Sequence, residues 1–228
     1  MRKRGGIIAA TGLRAEARVA QRCGLVTALS CGGDEKRLVS LIDETVSAGG
    51  IDGIISFGIA GGLRPDLPSG TIVVGTSVIA NGMTYDADER WSERLLELLP
   101  NAEPGAITAS NSVIARPDDK QNLYEATGAF AADMESHVVA HLAMQYRLPF
   151  AVLRVIADPA TQHLPPAAIN GLKPDGTPNI GGVLKSLISQ PGQFPDLLRA
   201  ASATRRAMER LFSCHSLLSP GLGFADLR

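Results

Sequence analysis

The stretch Phe150-Ala-Val-Leu-Arg-Val-Ile-Ala-Asp-Pro159 decides the fold. From Phe150 to Ile156 it reads as a strand enclosed in a sheet, and it ends on Ala157-Asp158-Pro159. Working back from it, short apolar runs alternate with helical patterns. Gly6 to Ala10 reads as a strand closing at Thr11-Gly12, Leu13 to Arg22 as a helix, and Leu25 to Cys31 as a second strand. Asp34 is the expected N-cap of a helix running to about Ala48, with Gly49-Gly50 after it. Gly53 to Phe57 reads as a third strand, followed by a glycine loop, Gly58-Ile-Ala-Gly-Gly62. The β-branched run Thr71 to Ala80 suits a central strand. Further expectations are a helix over Trp91 to Leu99, a strand over Gly105 to Ser110 and a helix opened by Pro117. A short extended piece over Phe130 to Ala132 then leads into a helix over Asp133 to Tyr146.

This order predicts an α/β chain with a central, mostly parallel mixed sheet and helices on both faces. No internal repeat or linker divides residues 1–228, so a single domain is expected. Residues 162–182 are rich in Pro, Gly and Asn and read as a flexible active-site loop. A last helix, Phe194 to Phe212, carries Arg199, Arg205, Arg206 and Arg210 on what reads as a solvated face. Residues 213–228 read as a loosely ordered C-terminal tail.

Composition narrows the function. Of 228 residues, 45% are hydrophobic and only 4% aromatic, so the core must be aliphatic. A formal net charge of −1 argues against a nucleic-acid-binding face. Cys23, Cys31 and Cys214 have no metal-like spacing and read as reduced thiols. The apolar run after Arg4 is too short for a signal peptide, and no segment reaches membrane-span length. A cytoplasmic location is therefore expected.

Ligands of α/β sheets bind beyond the carboxyl ends of the strands. Four features fall there: Thr11-Gly-Leu-Arg14, the Gly58–Gly62 loop, Asp133-Met-Glu135 and Ala157-Asp-Pro159. The glycine loop can bring backbone N–H groups to an anion or hydroxyl, or be a tight turn. It is neither a P-loop nor a dinucleotide fingerprint, because the required spacing is absent. Asp158, at the end of a buried strand, can be a partly desolvated general acid or a turn-capping carboxylate. Asp133 and Glu135 either complement a helix dipole or accept hydrogen bonds from sugar hydroxyls. Arg14 either lies on the surface or pairs with phosphate. His137 and His141 are four apart, but no third metal ligand is evident, and no metal is expected.

Together these residues resemble the nucleoside phosphorylase and nucleosidase superfamily of the purine nucleoside type, over roughly residues 5–160 and the final helix. The resemblance rests on Phe57-Gly-Ile-Ala-Gly-Gly62 with Ser69-Gly-Thr-Ile-Val-Val74, on Asp133-Met-Glu-Ser136, and on Arg154-Val-Ile-Ala-Asp158. It implies that Asp158 protonates the leaving purine at N7. It also implies that Glu135, with Asp133 beside it, binds the ribose hydroxyls, that Met134 packs on the sugar, and that Val113 and Ile114 flank the base. Gly12, Arg14, Gly58 and Ile59 would line a phosphate site, whereas Glu16 falls where the hydrolytic members keep a water-activating glutamate. Ile59 replaces the phosphorylases' hydroxyl residue, and Ser56-Phe57 stand where their second arginine would be, so phosphate and water both remain open as nucleophile.

The hopanoid-associated phosphorylases are the branch most similar in length, in the Thr11-Gly-Leu-Arg-Ala-Glu-Ala17 start and in Arg154-Val-Ile-Ala-Asp-Pro-Ala160. That resemblance implies phosphorolysis of adenosylhopane to phosphoribosylhopane and adenine, with phosphate as co-substrate and no cofactor. The alternatives are a methylthioadenosine/adenosylhomocysteine-type nucleosidase that uses water, and a non-catalytic nucleoside-binding protein. A dehydrogenase lacks the necessary acidic residue and glycine spacing. The expected partners are a small nucleoside, with or without an apolar lipid 5′ substituent, and further copies of the chain. No nucleic acid or membrane-spanning segment is expected, and contact with a membrane surface stays open.

Overall fold

In the computed structural model, which describes residues 5–169, 177 and 179–227, the sequence pattern becomes alternating strands and helices. The first four elements are β1 (Gly6–Thr11), α1 (Arg14–Gln21), β2 (Val26–Ser30) and α2 (Glu35–Ser47). Asp34 caps α2, its carboxylate accepting from the Arg37 N–H at 3.0 Å. β3 (Ile51–Gly62) is longer than the pattern implies, because the glycine stretch expected as a loop continues the strand. Gly58 to Ala60 stay in register against the strand that contains Arg154, a register shift then sets Gly61 opposite Asp158, and Gly61 and Gly62 pair with Ala132 and Ala131.

β4 (Ile72–Ala80) is followed by β5 (Met83–Asp86), which was not expected. Asn81 and Gly82 both take positive φ and join the two strands as a tight hairpin, a turn that Asn-Gly favours. Then come α3 (Glu89–Leu98), β6 (Glu103–Ala109), α4 (Pro117–Thr127), β7 (Ala131–Asp133), α5 (Ser136–Tyr146) and β8 (Phe150–Asp158). Asp133 thus belongs to β7 and not to the following helix. The expected loop over 162–182 contains α6 (Pro166–Ile169) and the start of α7 (Ile180–Ser189). Residues 170–176 and 178 of that expected loop lie outside the described residues. α8 (Phe194–Cys214) runs two residues beyond its expected end.

The strands make one mixed, mostly parallel sheet. Parallel ladders join β2 to β1, β1 to β3, β3 to β8, β4 to β6 and β6 to β7. Antiparallel ladders join β4 to β8, β4 to β5 and β3 to β7. The circuit β3–β8–β4–β6–β7–β3 therefore closes on itself.

Period-two alternation along β8 sends Ala151, Leu153 and Val155 into a cluster with Val19, Trp91 and Leu211 from α1, α3 and α8. Val152 and Ile156 face the other way, toward Leu38 and Ile42 of α2 and Val138 to Ala143 of α5. Helices thus cover both faces, as the sequence implies. The segment after α8 is not loosely ordered: Leu218 and Leu222 are fully buried. The Trp91 indole N–H donates to the Leu222 carbonyl at 2.9 Å, and its ring meets Phe224 edge-on. Burying these apolar groups outweighs the cost of ordering the segment. No helix among the described residues is long and apolar enough to cross a membrane.

β4 approaches β8 closely at Gly75, where an added Cβ would lie 2.6 Å from the Val152 Cβ. The Gly75→Ala variant is expected to lose about 1–3 kcal/mol through overpacking. Urea unfolding checks this, and an unchanged midpoint would show that the two strands can separate without cost.

Candidate functional site

The carboxyl ends of β1, β3, β7 and β8 open into one cavity of about 660 Å³. Behind the carboxylates that line it stands Arg154, in the middle of β8 and wholly buried. A guanidinium without water needs counter-charge and acceptors. Its Nε lies 2.6 Å from Asp133 Oδ2, and its Nη2 lies 3.3 Å from Glu135 Oε2. Nη2 also donates to Ser56 Oγ at 2.6 Å, and Nη1 donates to the Ile59 carbonyl at 3.4 Å. Asp133 is itself fixed by the turn into α5, its Oδ1 accepting from the N–H groups of Glu135 and Ser136. The Ser136 hydroxyl bonds both Asp133 and Ser56. Glu135 is the N-cap residue of α5, just outside the first turn in which it was expected.

Glu16 is buried on α1, with one carboxylate oxygen accepting from Leu13 N–H at 2.7 Å and the other from Ile59 N–H at 2.8 Å. Two glycines make room for this arrangement. A Cβ at Gly58 would fall 2.5 Å from Glu16 Oε1 and 2.8 Å from Arg154 Nη1. A Cβ at Gly12 would fall 2.8 Å from Glu135 Oε1. The cluster holds three carboxylates around one guanidinium. Burial, opposed by Arg154, raises Glu16 above the usual carboxylate range. Burial, again opposed by Arg154 and reinforced by Asp133 and Glu16, pushes Glu135 up to about 7.

On the far side of the cavity, Asp158 ends β8 with its side chain 14% exposed. The Lys120 Nζ lies 2.5 Å from its Oδ2. Burial raises Asp158 above its ordinary value, and the lysine pulls against that rise.

The cavity brings together Gly12, Glu16, Ile59 and Asp158 with Asp133, Met134 and Glu135. Val113 and Ile114 line it from the segment before α4. Gly58 sits behind this lining, beneath Glu16 and Arg154. Arg14 is exposed, and its side chain is not part of the cavity wall. Among the described residues, no group of His, Cys, Asp and Glu is placed to hold a metal ion.

Sequence reasoning passed over two charged residues here. Arg154 was quoted only as part of a motif, although a charge inside an apolar strand demands a buried partner. Lys120 looked like a surface helix residue beside Asp118 and Asp119. Its alignment three and four residues before Leu123 and Tyr124, which pack inward, was the available signal. Much of the remaining wall is apolar: Leu164, Ala167, Val183, Leu197 and Ala200 come from the turn after β8, α6, α7 and α8.

The phosphorylase superfamily model matches residues 31–188, and the chain belongs to that superfamily. It is 29% identical, over 131 residues, to the 5′-methylthioadenosine/S-adenosylhomocysteine nucleosidase of Oceanobacillus iheyensis. That match spans 48% of this chain and 57% of the relative's length. Among solved structures it resembles the S-adenosylhomocysteine nucleosidase of Streptococcus pyogenes, with a TM-score of 0.66 and 17% identity over 94% of this chain and 97% of the other. It also resembles the futalosine hydrolase of Helicobacter pylori strain 26695, with a TM-score of 0.64 and 15% identity over 93% and 98% of the two chains. At these identities the structural likenesses establish the fold.

Because folding raises Glu16 and Glu135, both take up protons more readily in the folded chain. Their contribution to stability is therefore present at acid pH and is lost as pH rises through their folded-state values. Glu135→Gln removes one of these charges. Its stability relative to the unmodified chain should improve by about 1–3 kcal/mol between pH 5 and pH 8. Thermal unfolding of both proteins across that range checks the sign, and a relative stability that falls toward pH 8 would contradict it.

Proposed function

We propose that the protein hydrolyses the N-glycosidic bond of an adenine nucleoside. The observation that carries this reading is the position of Glu16. Its carboxylate occupies the Leu13 and Ile59 N–H groups that a phosphate would otherwise take. Arg14, the cation expected to hold phosphate, stands outside the cavity wall. A second anion beside Glu16 would be repelled, whereas a water molecule would find a general base. The nucleosidases and hydrolase among the similar proteins support the same reading.

In this mechanism Glu135, with Asp133 and Arg154 behind it, accepts hydrogen bonds from the ribose hydroxyls, and Met134 packs on the sugar. Val113 and Ile114 flank the adenine. Asp158 gives a proton to N7 as the bond between the sugar and the base breaks. The electron pair of that bond leaves with the adenine. The anomeric carbon acquires positive character, which the buried carboxylates stabilise. Glu16 takes a proton from the attacking water, and the products are adenine and the free sugar.

The cavity also has an apolar arm, formed by Leu164, Ala167, Val183 and Leu197. That arm supports a second reading, in which the nucleoside carries an apolar 5′ substituent. Adenosylhopane, cleaved by phosphate to phosphoribosylhopane, is one such substrate. A homo-oligomer and a cytoplasmic location belong to the same proposal.

Base release from a panel of adenine nucleosides, with and without phosphate, separates the readings. The expected result is full-rate release in phosphate-free buffer, and an absolute requirement for phosphate would reject hydrolysis. Asp158→Asn and Glu16→Gln should each lower the rate at least ~10²-fold, the usual scale for general acid–base groups. A near-normal rate in either variant removes that residue from the mechanism.

A further inference from the structure

The side chain of Lys120 is 1% exposed and is aimed at the end of β8. Its ammonium meets four oxygens. They are Asp158 Oδ2 at 2.5 Å, the Pro159 carbonyl at 2.9 Å, the Gln162 carbonyl at 3.2 Å and the Asp158 carbonyl at 3.4 Å. A buried lysine so placed is costly unless every donor is matched, and here the three N–H groups find carboxylate and backbone acceptors. The same ammonium therefore holds both the acid and the turn that follows it.

We propose that Lys120 is a positioning residue for bond cleavage, clamping Asp158 by one carboxyl oxygen so that the other meets the leaving base and stabilising the carboxylate left when the proton departs. The proposal rests on the hydrolytic reading of the cavity. Once Asp158 has given its proton to the base, an anion remains at a desolvated strand end. A cation already in contact with it lowers the free energy of that anion without any rearrangement. The same contact opposes burial, which would otherwise keep Asp158 protonated to higher pH.

The surroundings of Asp158 leave this role to Lys120. From β3, Gly61 pairs beside Asp158 and brings no charge. The turn after β8 supplies the Pro159 and Gln162 carbonyls, and His163 there is exposed. The other ionisable groups lining the cavity are Glu16, Asp133 and Glu135, which surround Arg154, and Arg205 of α8, which is paired with Glu209.

Two measurements on Lys120→Met and Lys120→Arg test the clamp. The first is the pH profile of base release. In Lys120→Met, kcat should fall about ten-fold or more near neutrality with little change in KM. Its high-pH limb should move up by about one unit, and Lys120→Arg should restore that limb. A uniform loss with an unmoved limb would overturn the proposal by making Lys120 purely structural.

The second is a ¹³C NMR titration of the Asp158 carboxyl, assigned with Asp158→Asn, which needs no turnover. An upward displacement in Lys120→Met supports the clamp, and coincident titrations overturn it. If the unmodified chain releases no base from any nucleoside while the displacement is present, the hydrolytic reading and the cleavage role of Lys120 fail, and only its electrostatic hold on Asp158 stands. Should Lys120→Met not fold, Lys120→Gln keeps the hydrogen-bonding length without the charge and carries the same expectations.

Discussion

A guanidinium enclosed by a sheet constrains everything around it. Arg154 lies in the middle of β8, where its neighbours in the strand are Leu153 and Val155. Removing one partner of such a group leaves an uncompensated buried charge, which costs about 3–5 kcal/mol. The fold answers with carboxylates from the end of β7, the cap of α5 and the first turns of α1. Those carboxylates reach the same point only because residues 12 and 58 have no side chain. Three acids around one base is more negative charge than neutrality requires. An apolar core of equal volume would be at least as stable, so the arrangement is best understood through the chemistry that it permits.

Sheet closure puts the two halves of that chemistry at fixed separation. β8 carries Arg154 beneath the carboxylate cluster and, four residues later, Asp158 at its end. β3 runs beside it and contributes the Ile59 N–H to Glu16 and the bare edge of Gly61 to Asp158. Because β3 and β8 each pair on both sides, neither can shift register without breaking two ladders. The carboxylate cluster around Arg154 and the Asp158 end of the cavity are thus set by strand geometry, while α6, α7 and α8 form the apolar arm.

Much of this was legible in the sequence, and the limits have physical causes. Apolar runs with clear punctuation, such as Gly6 to Thr11 and Phe150 to Asp158, were placed within a residue or two. The glycine stretch was misread because glycine usually breaks strands. Here the ladder to β8 holds it extended, and the missing side chains serve Glu16 and Arg154 instead. Asp133 was assigned to a helix because acids suit a first turn; it is the last residue of β7 and accepts from the Glu135 and Ser136 N–H groups from outside the helix. Asp158 and Glu135 were candidates from their places in the chain and Glu16 from the resemblance, and the fold brings all three to one cavity. Lys120 and Arg154 could not be singled out by type, because pairing is a property of the folded neighbourhood. The segment after α8 lacked a periodic pattern, since its burial comes from a few contacts with α3.

Those contacts have an experimental use. Trp91 is the sole tryptophan of the chain, and its indole is sealed by Leu222 and Phe224. Its emission therefore responds to the docking of the segment after α8 against α3. Gly221 N–H also bonds the carbonyls of Cys23 and Gly24, after α1, so the same docking ties the late chain to its early part. A fluorophore that nature has placed at this seam can follow closure of the chain upon itself, with no label added.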